Sequence, residues 1–364
     1  MTGTSIDGLD AALIVVRGRG LEMTAEFVRG VSRELGALGT RLRALADQEP
    51  MAAGDIAGLM REFSLLHADA IRELMRAEGV PALVSVHGQT VFHSPPVSWQ
   101  MLSASVLAHE AGAPVVFDLR GADLAAGGQG APITPLADWT LFRGERPTAV
   151  VNLGGFCNAT MLPGALAGRD ASASIGLIEG FDVCACNHVL DRVARECLGA
   201  PYDAGGAGAL EGKVDAASRD ELANALGAQA RSGRSLGTGD ETGRWIQAWR
   251  GRIAARDVAA TACAAIGGTI ADRLRGVHTI LAAGGGVRNI ALLRAIRERS
   301  GAELETTASR GVPIEYREAA EMGVLGALCQ DRVPITLPRV TGVPSPAPIS
   351  GVWAGVYTDA EKRQ

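Results

Sequence analysis

The sequence has few aromatic residues, few cysteines and no long apolar run. Aromatic side chains make up 4% of its 364 residues, and its six cysteines are too few and too scattered for a disulfide scaffold. No apolar run approaches the roughly 20 residues that span a bilayer. No positively charged and then apolar segment of the kind that directs secretion opens the chain. We therefore expect a cytoplasmic protein.

The net charge is only −5, so we expect no nucleic-acid and no membrane partner. Glycine is abundant, at 47 residues, and 47% of the chain is hydrophobic. A glycine-rich globular composition without low-complexity runs predicts tight turns and close helix packing. The length predicts two domains of similar size.

Strands and helices alternate along the chain. Apolar residues at three- and four-residue steps predict a helix over residues 55–78, and further helices are predicted at 258–275 and 290–300. Short β-rich runs end in loops at "ALVSVHGQT", "PVVFDLRGAD", "TAVVNLGGFCNATML" and "HTILAAGGG". This alternation predicts an α/β architecture with ligands at the strand ends. A boundary near "GAPITPLADW" predicts domains at 1–136, with 345–364 possible as an addition, and at 137–344.

Three glycine-bearing loops are candidates for phosphate binding, because small residues let backbone N–H groups approach phosphate oxygens. They are "MTGTSIDGLDAALIV", "VVNLGGFCNAT" and "LAAGGGVRN". Taken singly, each is more often an ordinary turn. None fits the Walker A or the G-x-G-x-x-G spacing, so P-loop and Rossmann interpretations fail. Their order along the chain is that of the actin, Hsp70 and sugar-kinase superfamily.

Within that superfamily the chain resembles the anhydro-N-acetylmuramic acid kinases, which have levoglucosan kinases as relatives. The resemblance runs over essentially the whole chain and rests on "GTSIDGLDAAL", "HGQTVFHSP", "FDLRGADLAAGGQGAPITP", "NLGGFCNAT", "PYDAGGAGALEGKV" and "AAGGGVRN" in this order. It implies a two-domain actin/Hsp70/sugar-kinase (ribonuclease H-like) fold with ATP in the interdomain cleft. It also implies a kinase that opens a 1,6-anhydro sugar with water and phosphorylates O6, using ATP and Mg²⁺, and we expect a homodimer.

The resemblance gives Asp182 the role of the base that takes a proton from water. An ionised carboxylate within hydrogen-bond reach of water contributes about 100-fold or more to the rate. A predicted helix N-terminus just after Asp182 would favour the ionised form. The alternative is that Asp182 is a helix cap, or that it serves as both.

The remaining site residues are also implied by the resemblance. Those assigned to ATP and its phosphates are Gly3, Thr4, Ser5, Ile6, Asp7, Gly8, Leu9, Asp10, Asn152, Gly154, Gly155, Gly284, Gly285, Gly286 and Asn289. Asp7 and Asp10 are the candidate metal ligands, directly or through water. Those assigned to the sugar are His87, Gln89, Arg120, Asp123 and Gln129. As alternatives, Arg120 is a structural ion pair with Asp118 or Asp123, and His87 is a core histidine.

The chain departs from the family pattern at three places. The family's corner Asp-Thr-Gly-Pro-Gly-Asn reads Asp182-Val183-Cys184-Ala185-Cys186-Asn187 here, so a turn that needs glycine with positive φ would have to be reshaped. "SWQMLSAS" replaces a stretch that usually carries Gly-Asp. The family's leading strand is missing, so we expect either a start further upstream or a first domain that lacks a strand.

The thiols at this corner raise a separate question. Cys184 and Cys186 are spaced C-x-C, and even with Cys157 they make a weak zinc site. A thiol at a helix N-terminus can be reactive through a lowered pKa, but we favour the interpretation that these cysteines only fill space. Two other functions stay open: a kinase for another anhydrosugar such as levoglucosan, and a catalytically silent nucleotide-binding relative. Retention of Asp182 argues against the silent relative.

Overall fold

The computed structural model describes residues 1–3, 6, 8–164, 171–231, 241–345 and 350–355. The chain divides into two compact units. Unit 1 comprises Met1–Leu141, Gly168–Ile178 and Gly311–Gln364, and unit 2 comprises Phe142–Ala167 and Glu179–Arg310. The domain limits predicted from the sequence, at 1–136 and 137–344, differ from these units mainly in where residues 311–344 belong, and they stay a prediction.

The strands, in chain order, are β1 (Gly8–Arg17), β2 (Thr24–Glu34), β3 (Val84–Ser85), β4 (Gln89–Ser94), β5 (Val97–Met101), β6 (Val115–Phe117), β7 (Thr148–Leu153), β8 (Phe156–Leu162), β9 (Glu179–Ala185), β10 (Thr279–Ala283), β11 (Glu303–Thr306) and β12 (Val352–Ala354).

The α-helices are α1 (Gly36–Ala46), α2 (Ala53–Glu78), α3 (Ala104–Ala111), α4 (Gly121–Ala125), α5 (Pro135–Phe142), α6 (Ala171–Ile175), α7 (Asn187–Val193), α8 (Ala207–Glu211), α9 (Ala216–Arg231), α10 (Glu241–Trp249), α11 (Ala255–Arg273), α12 (Ile290–Ser300), α13 (Arg317–Gln330) and α14 (Pro338–Thr341). The predicted helices at 55–78, 258–275 and 290–300 correspond to α2, α11 and α12.

Unit 2 is built on one five-stranded sheet of order β11-β10-β7-β8-β9. The neighbours β7, β8 and β9 run antiparallel, whereas β10 and β11 run parallel to β7. Every residue of β10 is buried, as is all of β7 except the partly buried Asn152. Both strands are therefore covered on both faces, which explains their continuous apolar sequences. The apolar core of unit 2 joins this sheet to α7, α9, α10, α11 and α12.

Unit 1 carries its strands in separate sheets. The hairpin β1-β2 is one sheet, β12-β6-β3 is a second, and the hairpin β4-β5 is a third. Helix α2 buries Leu59, Phe63 and Leu74 against the core of this unit and ends at Gly79, whose φ of 86° suits glycine. No helix among the described residues is both long and apolar enough to cross a membrane.

The sheet of unit 2 is that of the ribonuclease H-like fold: three antiparallel strands come first along the chain, and two more strands run parallel to the first of them. Together with the division into two α/β units, it confirms the predicted fold class, the two-domain actin/Hsp70/sugar-kinase fold.

Candidate active site

A row of polar residues crosses the sheet of unit 2 at the carboxyl end of β7. Asn152 on β7 pairs with Asn158 on β8, and Asn158 pairs with Asp182 on β9. All three residues are partly buried. Directly paired residues on neighbouring strands have Cβ atoms about 4.5–5.5 Å apart on one face. Asp182 therefore lies on the same sheet edge as the glycine turn that follows β7, where ligands bind in such folds.

Asp182 does not precede a helix, as the sequence suggested, but lies inside β9. The strand continues to Ala185, and the first residue of α7 is Asn187. The N-cap position belongs to Cys186, which makes no side-chain capping bond. The helix-cap alternative for Asp182 is therefore wrong, and so is the argument that an adjacent helix dipole favours its ionised form. The physical reason is the apolar run 183–186, all buried, which extends the strand into the core.

Hydrogen bonds join the glycine turn after β7 (Gly154 and Gly155) to the corner that follows Asp182. The Cys186 N–H donates to the carbonyl of Gly155 at 2.9 Å, and the Asn187 N–H donates to the carbonyl of Gly154 at 3.0 Å. The side chain of Asn187 donates from Nδ2 to the carbonyl of Leu153 at 2.9 Å. The candidate base and the candidate phosphate turn are thus parts of one hydrogen-bonded structure.

The third glycine loop, which follows β10, packs directly against the same turn. Gly284 has a φ of +81°, and a methyl group added there would lie 2.5 Å from Oδ1 of Asn152. A methyl group on Gly286 would lie 2.7 Å from Cβ of Leu153 and 3.0 Å from Oδ1 of Asn187. Only glycine fits this close approach, so the second and third loops form a single backbone-lined surface that also includes Gly285.

Asn289, predicted on the nucleotide side, caps helix α12. Its Oδ1 accepts a hydrogen bond from the Leu292 N–H at 3.0 Å. This is the usual role of asparagine at a helix start. The amide oxygen of Asn289 is therefore engaged in the helix, and its role toward a nucleotide stays a prediction.

The thiols at this corner lie in the apolar core of unit 2. Cys157 faces Cys184 across β8 and β9, and these two residues and Cys186 are fully buried. Burial raises the pKa of all three thiols, that of Cys184 to about 12. The reactive-thiol alternative is therefore wrong. Cys186 has a φ of −127°, so the reshaped corner needs no glycine. No cluster of three or more metal-binding side chains exists among the described residues.

The first loop is only partly within the described residues. Thr4, Ser5 and Asp7 lie outside them. Ile6 is buried with a φ of 51°, and its carbonyl accepts from Arg43 at 3.4 Å. Of the others, Gly3 accepts a bond from Ile6, Gly8 begins β1, and Leu9 is fully buried, which leaves only its backbone for a ligand. Asp10 accepts a hydrogen bond from the Ser32 hydroxyl at 2.6 Å.

In unit 1, the partly buried Arg120 contacts the buried His87. Burial lowers the pKa of His87 to about 3, and the charge of Arg120 adds to this, so the imidazole is neutral at pH 7. Its Nδ1 contacts the Gly88 carbonyl at 2.9 Å, and its Nε2 accepts from Nε of Arg120 at 2.9 Å. The Arg120 guanidinium also donates to the carbonyl of Gly130 at 2.5 Å. His87 is therefore buried, as a core histidine is, and it also positions Arg120.

Arg120 makes no ion pair with Asp118 or Asp123, so that alternative is wrong. Asp118 accepts from the Gly121 N–H. Asp123 accepts from the Gly130 N–H and from the Thr341 hydroxyl, both at 2.7 Å. Among the described residues, no carboxylate accepts a hydrogen bond from Arg120, although the charge of Glu318 is near enough to oppose the burial that lowers the Arg120 pKa to about 10.

The other residues predicted to bind sugar are placed as follows. Asp123 is 1% exposed, and its carboxylate holds the loop around Gly130. Gln89 is also 1% exposed, and its side chain donates to the Thr90 carbonyl at 3.1 Å while its Oε1 has no partner among the described residues. Gln129 is exposed, and its N–H donates to the Thr341 carbonyl.

Two residues of this site were not predicted from the sequence. Asn158 lies between Asn152 and Asp182, and Asn187 links the glycine turn to the corner. The signal for Asn187 was its place at the end of the corner motif. Asn158 had no local signal, because its position depends on a register shift between Cys157 and Asn158 in the pairing of β8 with β9.

Comparisons with known proteins point to one family. The family model described as "Anhydro-N-acetylmuramic acid kinase" matches residues 1–354. A protein of that name from Acidiphilium cryptum is 36% identical, over 95% of this chain and 94% of its own. One from Bordetella parapertussis is 34% identical, over 94% of this chain and 91% of its own.

Solved structures resemble the chain more distantly. Component A of (R)-2-hydroxyglutaryl-CoA dehydratase from Acidaminococcus fermentans covers 87% of this chain and 98% of its own, with a TM-score of 0.44 and 12% identity. A ROK family glucokinase from Streptomyces griseus, in complex with glucose and AMPPNP, covers 87% of this chain and 99% of its own, with a TM-score of 0.33 and 15% identity. Likeness at this level says nothing about what the chain binds.

Proposed function

Because the chain belongs to the anhydro-N-acetylmuramic acid kinase family, we propose that it converts 1,6-anhydro-N-acetylmuramic acid, water and ATP into N-acetylmuramic acid 6-phosphate and ADP. The reaction class is phosphoryl transfer to an alcohol. Its place is the recycling of cell-wall sugar and the breakdown of amino sugars. The protein acts in the cytoplasm, with small-molecule substrates, as a homodimer.

The observation that carries the proposal is the row formed by Asn152, Asn158 and Asp182 beside two interlocked glycine loops. In this row the carboxylate of Asp182, the candidate base, lies at the end of the sheet where the glycine loops begin, and this supports the proposal. Asn187 holds these parts together through the Leu153 carbonyl. Such preorganisation is where enzymes of this kind gain most of their rate.

In the proposed reaction, Asp182 is the base and takes up one proton. Its carboxylate accepts a proton from a water molecule while that water attacks the anomeric carbon of the sugar. The bond between that carbon and O6 breaks, and O6 takes the γ-phosphoryl group of ATP. Water is a poor nucleophile at neutral pH, so the proton acceptor is needed at the moment of attack. Asn152 and Asn158 lie beside Asp182 on neighbouring strands.

The candidates for holding ATP are the small residues of the three loops. Gly154, Gly155 and residues 284–286 offer backbone N–H groups without side chains that would block a phosphate. Asp10 supplies carboxylate oxygen, the donor that Mg²⁺ prefers, and Asp7 is the second candidate. When bound, Mg²⁺ offsets the negative charge of the phosphates.

The candidate sugars differ in charge, and this difference helps to choose between them. The guanidinium of Arg120 is partly buried, and its hydrogen-bond partners are neutral, namely His87 and the Gly130 carbonyl. A buried charge is stabilised by an opposite charge, and the lactyl carboxylate of muramic acid would supply it. Levoglucosan has no such group. This favours the muramic acid derivative over levoglucosan, and the retained Asp182 disfavours a silent relative.

Three sugars test the proposal in one assay of ADP release: 1,6-anhydro-N-acetylmuramic acid, 1,6-anhydro-N-acetylglucosamine, which lacks only the lactyl group, and levoglucosan. We expect turnover with the first and a kcat/KM lower by about 10- to 100-fold for the second, because a charged hydrogen bond contributes about 1.5–3 kcal/mol. Mass spectrometry of the first product should show the addition of one water molecule and one phosphoryl group.

The outcomes separate the alternatives. Equal kcat/KM for the two amino sugars would contradict the role of Arg120. Preference for levoglucosan would replace the proposed substrate. ATP binding without ADP release on any of the three sugars would leave the silent relative as the better description.

A further inference from the structure

One histidine beside the candidate site has no role in the reaction described above. His188 follows Asn187 at the corner after β9, and its side chain is exposed. The Asn187 N–H donates to the carbonyl of Gly154, and the His188 N–H donates to the carbonyl of Gly155 at 3.2 Å. The backbone of His188 is therefore joined to the glycine turn after β7, the second candidate loop for phosphate.

The imidazole ring of His188 lies against Gly155. A methyl group added to Gly155 would lie 2.7 Å from Cε1 and 2.9 Å from Cδ2 of the ring, and closer still to Nε2. Gly155 does not have a positive φ, so its backbone conformation does not require glycine. The space that a side chain at position 155 would fill is occupied by the imidazole instead, and Nε2 is the ring atom nearest to that position.

A second contact holds the ring at this place. The imidazole meets the ring of Phe156 edge-on, with centroids 4.9 Å apart and an interplanar angle of 74°. Phe156 is the first residue of β8 and pairs with Ala185 of β9. Edge-to-face pairs of this kind are favourable. The imidazole is therefore held beside the glycine turn by Gly155 and by Phe156.

The ring nitrogens of His188 are available to a ligand. Within the part of the chain that the structure describes, neither nitrogen has a hydrogen-bond partner. A charged neighbour lies three residues further along α7: burial raises the pKa of Asp191, and the charges of Arg195 and His188 oppose this effect. An imidazole has one N–H donor when neutral and two when protonated. His188 therefore presents a hydrogen-bond donor beside the turn in either state.

The ligand that suits these donors is an anion. The backbone N–H groups of a glycine turn and the N–H of an imidazole are all satisfied by acceptor oxygens. The proposed reaction supplies two anionic groups, the phosphates of ATP and the lactyl carboxylate of the sugar. The phosphates are favoured at this turn, because two consecutive glycines let a phosphate approach the backbone closely. The carboxylate is already assigned to Arg120 of unit 1.

We propose that His188 contacts a phosphate of ATP: its imidazole donates a hydrogen bond to a phosphate oxygen that lies over the turn of Gly154 and Gly155. This inference rests on the proposed function and adds one residue to its nucleotide site. It also gives a reason for glycine at position 155, because a larger residue there would displace the imidazole from the turn.

Two substitutions separate the hydrogen bond from the packing. His188→Phe keeps a flat ring against Gly155 and Phe156 but removes both nitrogens, whereas His188→Gln removes the ring and keeps an N–H donor. Calorimetry without sugar measures the affinity of the full chain for ATP and for adenosine, which has no phosphate. We expect His188→Phe to weaken the binding of ATP at least about tenfold, because a hydrogen bond to a charged group is lost, and to leave that of adenosine unchanged. His188→Gln should stay within about threefold of the wild-type affinity for both, because a donor remains.

The matched control is His109→Phe, the same substitution at an exposed helix position of unit 1. It should leave the affinities for ATP and for adenosine unchanged. Thermal denaturation checks that each variant is folded, and His188→Gln carries the test if His188→Phe is not.

The results distinguish a failure of this inference from a failure of the proposed function. If the wild-type chain binds no ATP, the proposed function fails and the inference fails with it. If the wild-type chain binds ATP and His188→Phe binds it equally well, only the inference is overturned. Equal losses for ATP and adenosine would show that His188 acts through packing alone, which also contradicts the inference. An unchanged affinity for ATP with a weaker affinity for 1,6-anhydro-N-acetylmuramic acid would assign the imidazole to the sugar instead.

Discussion

Both units combine strands and helices, but they differ in the continuity of their sheets and in the titratable groups that they bury. Unit 2 has a continuous five-stranded sheet, and the titratable groups in its core are thiols, whose pKa values burial raises, so they stay neutral. Unit 1 has its strands in separate sheets, and it buries His67, His87 and the ion-pair cluster of Arg317, Asp138 and Glu321. The contrast teaches that the two units keep their buried polar groups in different ways: unit 2 buries neutral thiols inside a continuous sheet, whereas unit 1 buries charged and titratable side chains that are paired with one another.

The largest expected effect concerns the interlocked loops of unit 2. In Gly284→Ala, the added methyl group would lie 2.5 Å from Oδ1 of Asn152, which separates the two loops. Displacement of catalytic groups by about 1 Å costs about 100-fold in rate, so we expect kcat/KM to fall by at least that factor, measured by ADP release. The matched control is Gly276→Ala, which has a similar φ of +87° but no atom within 4 Å. Equal activity losses in both would mean that backbone strain, and not loop packing, matters.

The next largest effect is expected at a buried ion-pair cluster of unit 1. In unit 1, Arg317 contacts Asp138 at 3.0 Å and Glu321 at 2.6 Å, and all three side chains are at most 5% exposed. Burial raises the pKa of Glu321 well above its usual value. Arg317→Met removes the buried cation that contacts both carboxyl groups, and breaking a buried ion pair by removing one partner costs about 3–5 kcal/mol. Urea denaturation should show this loss, whereas Arg294→Met, at an exposed pair, should leave stability nearly unchanged. An unchanged midpoint for Arg317→Met would contradict the account.

Acid should affect unit 1 more than unit 2. His67 and His87 have folded-state pKa values of about 3, below the ordinary 6.5. Between these values the unfolded chain binds protons that the folded chain does not, so the free energy of unfolding falls as pH falls below about 6.5. From pH 7.5 to pH 5.5 we expect a loss of about 1 kcal/mol per histidine.

Urea denaturation at these two pH values, with amide exchange to locate the change, checks this prediction. His67→Leu should reduce the pH dependence by about half, whereas His109→Leu, at an exposed position, should not. The prediction would be contradicted if the free energy of unfolding had the same pH dependence in both variants. It would also be contradicted if amide exchange located the acid-induced loss in unit 2.

The smallest effect is expected at the thiols of unit 2. Cys184 and Cys186 fill space in the apolar core, and the conformation of Cys186 does not require glycine. In a Cys184→Ala, Cys186→Ala double variant we expect kcat to stay within about twofold, and stability to fall by about 1 kcal/mol per site from lost packing. Loss of turnover with an unchanged melting temperature would show that the sulfur atoms have a chemical role.

Much of this molecule follows from local sequence signals. Helix α12 begins and ends where predicted because Asn289 caps it and Gly301 ends it in a left-handed conformation. The glycine loops lie at strand ends because the preceding apolar runs are β-rich. The corner after Asp182 was predicted wrongly because residues 183–185 continue β9, and only packing against the core of unit 2 decides that.

Side-chain partners in the site were harder to predict than the elements that carry them. The bond from Arg120 to the Gly130 carbonyl joins residues ten apart through a loop, and the pairing of Asn158 with Asp182 depends on a strand register. Neither the hydrogen bond nor the strand pairing can be recognised from the local amino-acid sequence. Asn158, which pairs with Asp182, could be identified only once the strands were paired.

The most direct test of the central claim is the turnover of Asp182→Asn with 1,6-anhydro-N-acetylmuramic acid and ATP. Asparagine has the same shape but accepts no proton, so the account predicts that kcat falls by about 10²–10⁴-fold, while calorimetry shows unchanged affinity for both substrates. Asp220→Asn, at an exposed helix position of unit 2, should keep wild-type turnover. If Asp182→Asn retains more than about a tenth of the wild-type kcat, Asp182 is not the base.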